Sequence, residues 1–287
     1  MMLLGSHVSI AGGLHKAFGV AQEIGCTAIQ IFTKNANRWQ AKPLQPKQIE
    51  RFLIEWKASG IASVVVHDSY LINLGTPKDD LLHKSREALL IELQRCQALQ
   101  IPYLVMHPGA HVGSGEEAGL KRVAASFDYV HEQTPGYATQ ILVETTAGQG
   151  TNLGYCFEHL ATILDLVKQP ERLGICFDTC HAFAAGYELR TEAGYHEAFE
   201  RFDKILGLER LKAIHLNDSL KGLGSRVDRH QGIGQGILGL EPFRFIMNDP
   251  RLTSIPKILE TPKGDDPVQA DRENLRILRS LLATPKS

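Results

Sequence analysis

Charge of one sign, cysteine pairs and long apolar runs are all missing from this 287-residue chain. Lys and Arg total 31 against 32 Asp and Glu, a net charge of −1. A chain so balanced has no global basic field, so contact with nucleic acid has to come from a local patch. No apolar run approaches the ~20 residues that a membrane helix needs, and no membrane partner is expected. The apolar start, residues 1–10, lacks a basic n-region and is interrupted by His7. It reads as a first strand and not as a signal peptide. Five cysteines, an odd number without a C-x-x-C pair, argue for reduced thiols and a cytoplasmic setting. Cys176 and Cys180 read as small buried hydrophobes, with soft metal ligation as the alternative. No G-x-G-x-x-G follows the first run, which counts against a dinucleotide-binding fold. Linkers and low-complexity tracts are lacking too, so residues 1–287 are expected to form one domain.

What is present is one alternation, repeated. The apolar fraction of 43% and the charged fraction of 22% are those of a globular protein with a large core. Apolar, β-branched runs occupy residues 3–10, 28–32, 63–67, 103–107, 140–145, 173–178, 212–216 and 257–260. Helical patterns fill residues 13–24, 45–59, 79–99, 116–132, 152–167, 194–205 and 240–248, and a last amphipathic stretch covers 267–282. Short buried strands alternating with helices imply parallel βα units. Eight of them predict an α/β fold of the closed (β/α)8 TIM-barrel type, with the active site at the C-terminal ends of the strands.

The polar residues fall at matching places on that frame. His67, His107, Glu144, Asp178, His215 and Glu260 each finish one of six consecutive strands, and His181 follows Asp178 closely. Parallel barrel strands send their C-terminal ends to one face, so these groups converge. Taken singly, a His there is more often a hydrogen-bonded core residue, and an acid only caps the next helix. Six in a row are harder to explain so, because clustered carboxylates repel unless cations neutralise them. Residues 215–236, H-L-N-D-S-L-K-G-L-G-S-R-V-D-R-H-Q-G-I-G-Q-G, add Asp218, Asp228 and His230. Asp228 and His230 are two apart, so an extended segment points both the same way. Imidazole and carboxylate without thiolate suit zinc or manganese, and the donor count suits more than one ion.

These motifs resemble the endonuclease IV family of abasic-site endonucleases. The likeness runs from G-S-H-V-S-I-A-G-G (5–13) to L-E-T-P (259–262), and its most specific pieces are H-D-S-Y-L-I-N-L (67–74), C-F-D-T-C-H (176–181) and H-L-N-D-S…S-R-V-D-R-H. The resemblance implies three zinc ions, manganese being acceptable at some positions. One would take His67, His107 and Glu144. A second would share Glu144 and take Asp178, His215 and Glu260. A third would take His181, Asp228 and His230. It also implies a DNA-binding set: Tyr70 and Leu71 as a wedge in a kinked duplex, and Lys34, Asn35 and Arg38 in the loop T-K-N-A-N-R-W-Q. Where relatives place an arginine two before the tryptophan, this chain has Asn37. Arg226, Arg229 and Lys221 would add phosphate contacts. His7, Gln30 and Asn217, at strand ends, are expected to support the ligands. Gly232, Gly234 and Gly236 permit close backbone approach, and ordinary turns explain them equally well.

The chemistry implied is hydrolytic. A metal-bound hydroxide would attack the phosphodiester 5′ of an abasic site, giving a 3′-hydroxyl and a 5′-deoxyribose phosphate. Glu144 would be the catalytic residue as bridge and orienting base. Double-stranded DNA with abasic sites or blocked 3′ ends is the expected partner, bound by a monomer, with 3′-end trimming as a second activity. A divalent-metal sugar isomerase or epimerase on the same barrel is the alternative, since fold analogy does not separate the two.

Overall fold

Each of the eight apolar runs is a strand of one closed parallel barrel. The computed structural model describes residues 2–283. Its strands β1 (Leu4–His7), β2 (Ala28–Ile31), β3 (Ser63–His67), β4 (Tyr103–Met106), β5 (Gln140–Glu144), β6 (Leu173–Asp178) and β7 (Leu211–His215) pair in sequence. The last barrel strand, β10 (Lys257–Leu259), closes the ring between β7 and β1. A two-stranded antiparallel ribbon, β8 (Asp218–Ser219) with β9 (His230–Gln231), stands in the connection after β7.

Strand periodicity sorts the side chains into two cores. Val64 and Val66 of β3, with Ile141 and Val143 of β5, face the helices and join the large outer core. Val65, Val105, Leu142, Cys176 and Ala213 point inward and form a small separate cluster inside the barrel. Because the side-chain period is two, the inward residue after each of these is His67, His107, Glu144, Asp178 and His215. An apolar floor at one level therefore fixes a ring of donors at the next level up. Cys176 belongs to that floor. Burial raises its thiol well above the ordinary range, and pushes buried Cys180 up to about 12, as expected of small hydrophobes.

The helices α1 (Ala17–Ile24), α2 (Pro46–Ser59), α3 (Asp79–Ala98), α4 (Glu116–Gln133), α5 (Phe157–Leu166), α7 (Glu192–Leu206), α8 (Glu241–Asn248) and α9 (Pro267–Ser280) ring the barrel. Phe18, Phe52, Phe127, Phe157, Phe199 and Phe243 fill the layer between them and the strands. Two expected boundaries move by several residues. The first strand stops at His7, since the chain turns at Gly12 and Gly13, both with positive φ. The helix expected from residue 152 starts at Phe157, because Leu153 donates to the Gly109 carbonyl at 2.8 Å and ties the segment across the strand ends. Gly154 then runs so close to Pro108 that a Cβ would lie 2.7 Å from its ring. One further helix, α6 (Thr179–Ala185), follows β6 directly where the sequence reading placed only a strand end. Among the described residues no helix is long and apolar enough to cross a membrane.

Candidate metal centre

Glu144 sits at the centre of the donor ring, fully buried, with each carboxylate oxygen facing two imidazoles. Oε2 lies 3.2 Å from His67 Nε2 and 3.3 Å from His107 Nε2. Oε1 lies 3.0 Å from His215 Nδ1 and 3.2 Å from His181 Nδ1. Burial by itself would raise this acid. The charges and hydrogen bonds of the surrounding imidazoles, His215 first, hold it well below the carboxylate range.

The remaining acids close the ring. Glu260 Oε2 is 3.2 Å from His215 Nδ1, and Asp178 Oδ2 is 3.9 Å from the same nitrogen. Asp178 has a second task, because its Oδ1 accepts the His181 backbone N–H at 2.8 Å as the N-cap of α6. That cap starts the helix so that His181 turns back over the mouth. There His181 Nε2 lies 3.2 Å from Asp228 Oδ2 and 3.3 Å from His230 Nε2, and Asp228 Oδ1 lies 3.4 Å from His230 Nε2.

The nine expected ligands are brought together at one mouth, where Asp178 also stands within ligand reach of His181 and His230. His67, His107 and Glu144 can meet at one ion, and Glu144, Asp178, His215 and Glu260 at another. His181, Asp228 and His230 make the third triangle. For tetrahedral zinc with bonds of 2.0–2.1 Å, adjacent donors stand about 3.3–3.4 Å apart. The closest spacings above cluster at that value. Two imidazole Nε2 atoms facing each other at 3.3 Å, as in His181 and His230, share at most one proton when neutral, whereas a cation satisfies both lone pairs. The donor set fits divalent metal on both counts.

Electrostatics run the same way. Burial opposes a charge on His67, but hydrogen bonds to Asp68 and Glu144 outweigh it and hold the ring well above its ordinary value. His181 is raised likewise against burial by Asp178, Asp228 and Glu144, and Asp228 is drawn down to about 2, chiefly by His181. The acids that favour positive charge on His67 and His181 would favour a divalent cation in place of those protons.

Supporting contacts match the expectation for His7, Gln30 and Asn217. Gln30 donates to Glu260 Oε1 at 2.6 Å while its own oxygen lies 2.8 Å from His215 Nε2. His7 Nδ1 stands 3.0 Å from Gln30 Nε2. Asn217 donates to Asp178 Oδ2 at 2.6 Å and accepts the Glu260 backbone N–H at 2.9 Å. The sequence reading missed Asp68, whose Oδ1 is 3.4 Å from His67 Nδ1 and whose carboxyl burial raises to about 6. It also missed Thr145, whose carbonyl lies 2.9 Å from His181 Nδ1. Both lie one residue past a donor, and that adjacency was the available signal. Phe32 and Lys263 were missed as well. They join Tyr70, His107, His230 and Pro262 in lining the mouth, a cavity of about 430 Å³.

Two expected residues do other work. Lys34 does not face DNA: it is buried, 3.0 Å from Glu92 Oε1, and donates to the Arg38 carbonyl at 2.7 Å. Asp218, three residues after His215 in sequence, turns away from the ring. Its oxygens accept the backbone N–H groups of Ser219, Leu238 and Gly236 at 2.7, 2.9 and 3.0 Å. That explains Gly236, where a Cβ would stand 2.5 Å from Asp218 Oδ1. Of the other expected contact residues, Tyr70 lines the mouth, while Arg38 lines a separate cavity with His83, Lys84 and Glu87. Asn35, Arg38, Tyr70, Lys221, Arg226 and Arg229 are exposed and Leu71 half-buried. Tyr70 meets Phe32 edge-on at 5.4 Å, and Arg226 stacks over Tyr155 at 4.3 Å.

Comparison with known proteins bears on the family and the fold. The xylose isomerase-like TIM barrel family matches residues 18–281. A protein named "Probable endonuclease 4" in Trichlorobacter lovleyi is 56% identical over 278 residues, covering 97% of this chain and 99% of that protein. The crystal structure of endonuclease IV from Thermus thermophilus superposes with a TM-score of 0.85 at 38% identity, covering 97% of this chain and 98% of that one. A 3-keto-D-glucoside 4-epimerase from E. coli superposes at 0.68 with 15% identity, covering 98% and 100% of the two chains. At that identity the likeness is one of fold alone.

Proposed function

The chain belongs to the endonuclease IV family of abasic-site DNA endonucleases, and from that premise we propose that it hydrolyses the phosphodiester 5′ of an abasic site with three divalent ions, zinc or in part manganese, held by nine side chains. The products are a 3′-hydroxyl and a 5′-deoxyribose phosphate, and trimming of blocked 3′ ends is a second use of the same centre. One observation carries this reading: three donor groups, two of them sharing Glu144, have closest separations of 3.0–3.4 Å, the spacing of ligands around one ion.

A divalent ion held by these residues supplies Lewis acidity, screening the phosphate charge and lowering the pKa of a water towards ~7. The chain's own groups do the rest. Glu144 spans two groups with one carboxylate. Both its oxygens are occupied by imidazole nitrogens, so it aids proton removal through its charge beside the attacking water. His107, the most exposed of the first group at 37% of its side chain, leaves an approach for the phosphodiester. Gln30 and Asn217 hold Glu260 and Asp178 in place through the hydrogen bonds above. Tyr70, braced on Phe32, is the wedge beside the mouth, with Leu71 behind it. Asn35, Arg38, Arg226 and Arg229 contact the backbone around it, and Asn37 replaces the probing arginine of relatives. Five free thiols and a DNA substrate are in keeping with a cytoplasmic setting.

A sugar isomerase on this barrel would need a pocket for a small molecule and fewer ligands, whereas this mouth carries the extra group His181, Asp228 and His230 and the exposed Tyr70. Thermal protection separates the two. An abasic duplex whose 5′ linkage resists hydrolysis should raise the melting temperature of the metallated wild-type protein, and simple ketoses should not. Protection by a sugar alone would reverse the assignment.

A further inference from the structure

The loop 33–42, between β2 and α2, carries the exposed Asn35, Asn37 and Arg38, yet it is irregular and has no strand or helix to shape it. Its shape comes from beneath. Thr33, Lys34, Glu92 and Arg95 form a polar cluster in which every member is buried. Glu92 Oε1 pairs with Lys34 Nζ at 3.0 Å, and Glu92 Oε2 accepts the Thr33 hydroxyl at 2.7 Å. Arg95 donates from Nε to Thr33 Oγ1 at 3.1 Å, from Nη1 to the Lys42 carbonyl at 2.9 Å, and from Nη2 to the Thr33 carbonyl. Lys34 in turn holds the Arg38 carbonyl at 2.7 Å. Ser69, one residue before the wedge, donates its hydroxyl to the Ala36 carbonyl. Four loop carbonyls, at 33, 36, 38 and 42, are thereby taken by side chains from outside the loop's regular hydrogen bonding.

A buried ion pair is weak evidence for stability, because desolvation offsets most of its attraction and apolar replacements are often neutral or better. Its best-attested use is to select one conformation. Glu92 is the only acid in this cluster: it pairs with Lys34, which holds the Arg38 carbonyl, and is joined to Arg95 through the Thr33 hydroxyl. Nothing in the metal chemistry requires it. We propose that Glu92, with Arg95, is a positioning centre for DNA recognition: it pre-shapes the loop 33–42 and, through Ser69, keys that loop to Tyr70. The loop then meets the duplex already ordered, and little conformational freedom is lost on binding. This rests on the reading of the protein as an abasic-site endonuclease.

Glu92→Gln keeps an acceptor for Thr33 but leaves Lys34 buried without a counter-charge, so Lys34 leaves and frees the Arg38 carbonyl. With the metallated full-length enzyme and a duplex bearing one tetrahydrofuran site, KM should rise about tenfold while kcat changes less than twofold and metal content is unchanged. Arg95→Lys, which keeps the charge but loses the planar fork, should raise KM about threefold and serves if Glu92→Gln does not fold. The pair Lys34→Met with Glu92→Gln removes both charges. It should regain the melting temperature lost in Glu92→Gln without regaining KM, a split that a purely structural role would not give. An unchanged KM in folded Glu92→Gln or Arg95→Lys, or recovery of KM together with melting temperature in the double variant, would overturn the proposal. Wild-type enzyme that leaves the duplex uncut would overturn the endonuclease reading itself, whatever the variants do.

Discussion

At the scale of single residues, the centre turns on one carboxylate. Glu144 faces four imidazoles with two oxygens, so Glu144→Gln replaces an acceptor by a donor against two of them. Bound metal should fall from three ions towards one, and incision by on the order of 10³-fold, read by metal analysis and single-turnover cleavage. Asp218 makes the opposite case. Asp218→Ala strands three N–H groups of the loop and should cost about 1–3 kcal/mol, seen as a lower melting temperature with all three ions retained. Loss of one ion would show instead that it is a ligand. Both residues follow apolar strands in sequence, and only one was legible. Glu144 is inward by strand parity. Asp218 and Lys34 are decided by partners 18 to 58 residues away, namely the N–H of Gly236 and the Glu92 carboxylate, and local pattern carries no trace of those.

At the scale of elements, strands were easier to read than helices. Apolar runs bounded by turns mark β3 and β6 to the residue and β5 to within one, because burial on both faces leaves no polar interruption. The same burial hid α6: Thr179–Ala184 are all buried, so no amphipathic period separates that helix from the strand before it. Helix α4 carries a titration of its own. His131 is buried on it with both ring nitrogens unpartnered. Burial, with Arg172 nearby, holds its imidazole down to about 4, against ~6.5 in an unfolded chain. The unfolded state therefore takes up the proton first, and stability is full above about pH 6.5 and lost as pH falls towards 4. Denaturant unfolding at pH 7.5 and pH 5 should differ by about 1–2 kcal/mol less in His131→Leu than in wild type. Equal pH dependence in the two proteins would mean that His131 finds a partner in solution.

At the scale of the whole molecule, the eight-fold alternation was enough for the barrel, and barrel geometry alone gathers strand-end donors at one face. What the alternation did not convey is which exposed side chains around the mouth meet DNA, because exposure is common and parity says nothing about loops. A chain of net charge −1 gains little from long-range attraction, so the function proposed above places recognition on short-range contacts around the mouth. The most direct test is incision of a duplex carrying one tetrahydrofuran site, which cannot undergo β-elimination, in buffer without magnesium. Cleavage leaving a 3′-hydroxyl, abolished by prolonged chelation and restored by zinc or manganese, is the expected result. Intact duplex after incubation with folded protein carrying three bound ions would contradict the assignment, and cleavage that survives complete removal of metal would contradict the role given to the nine ligands.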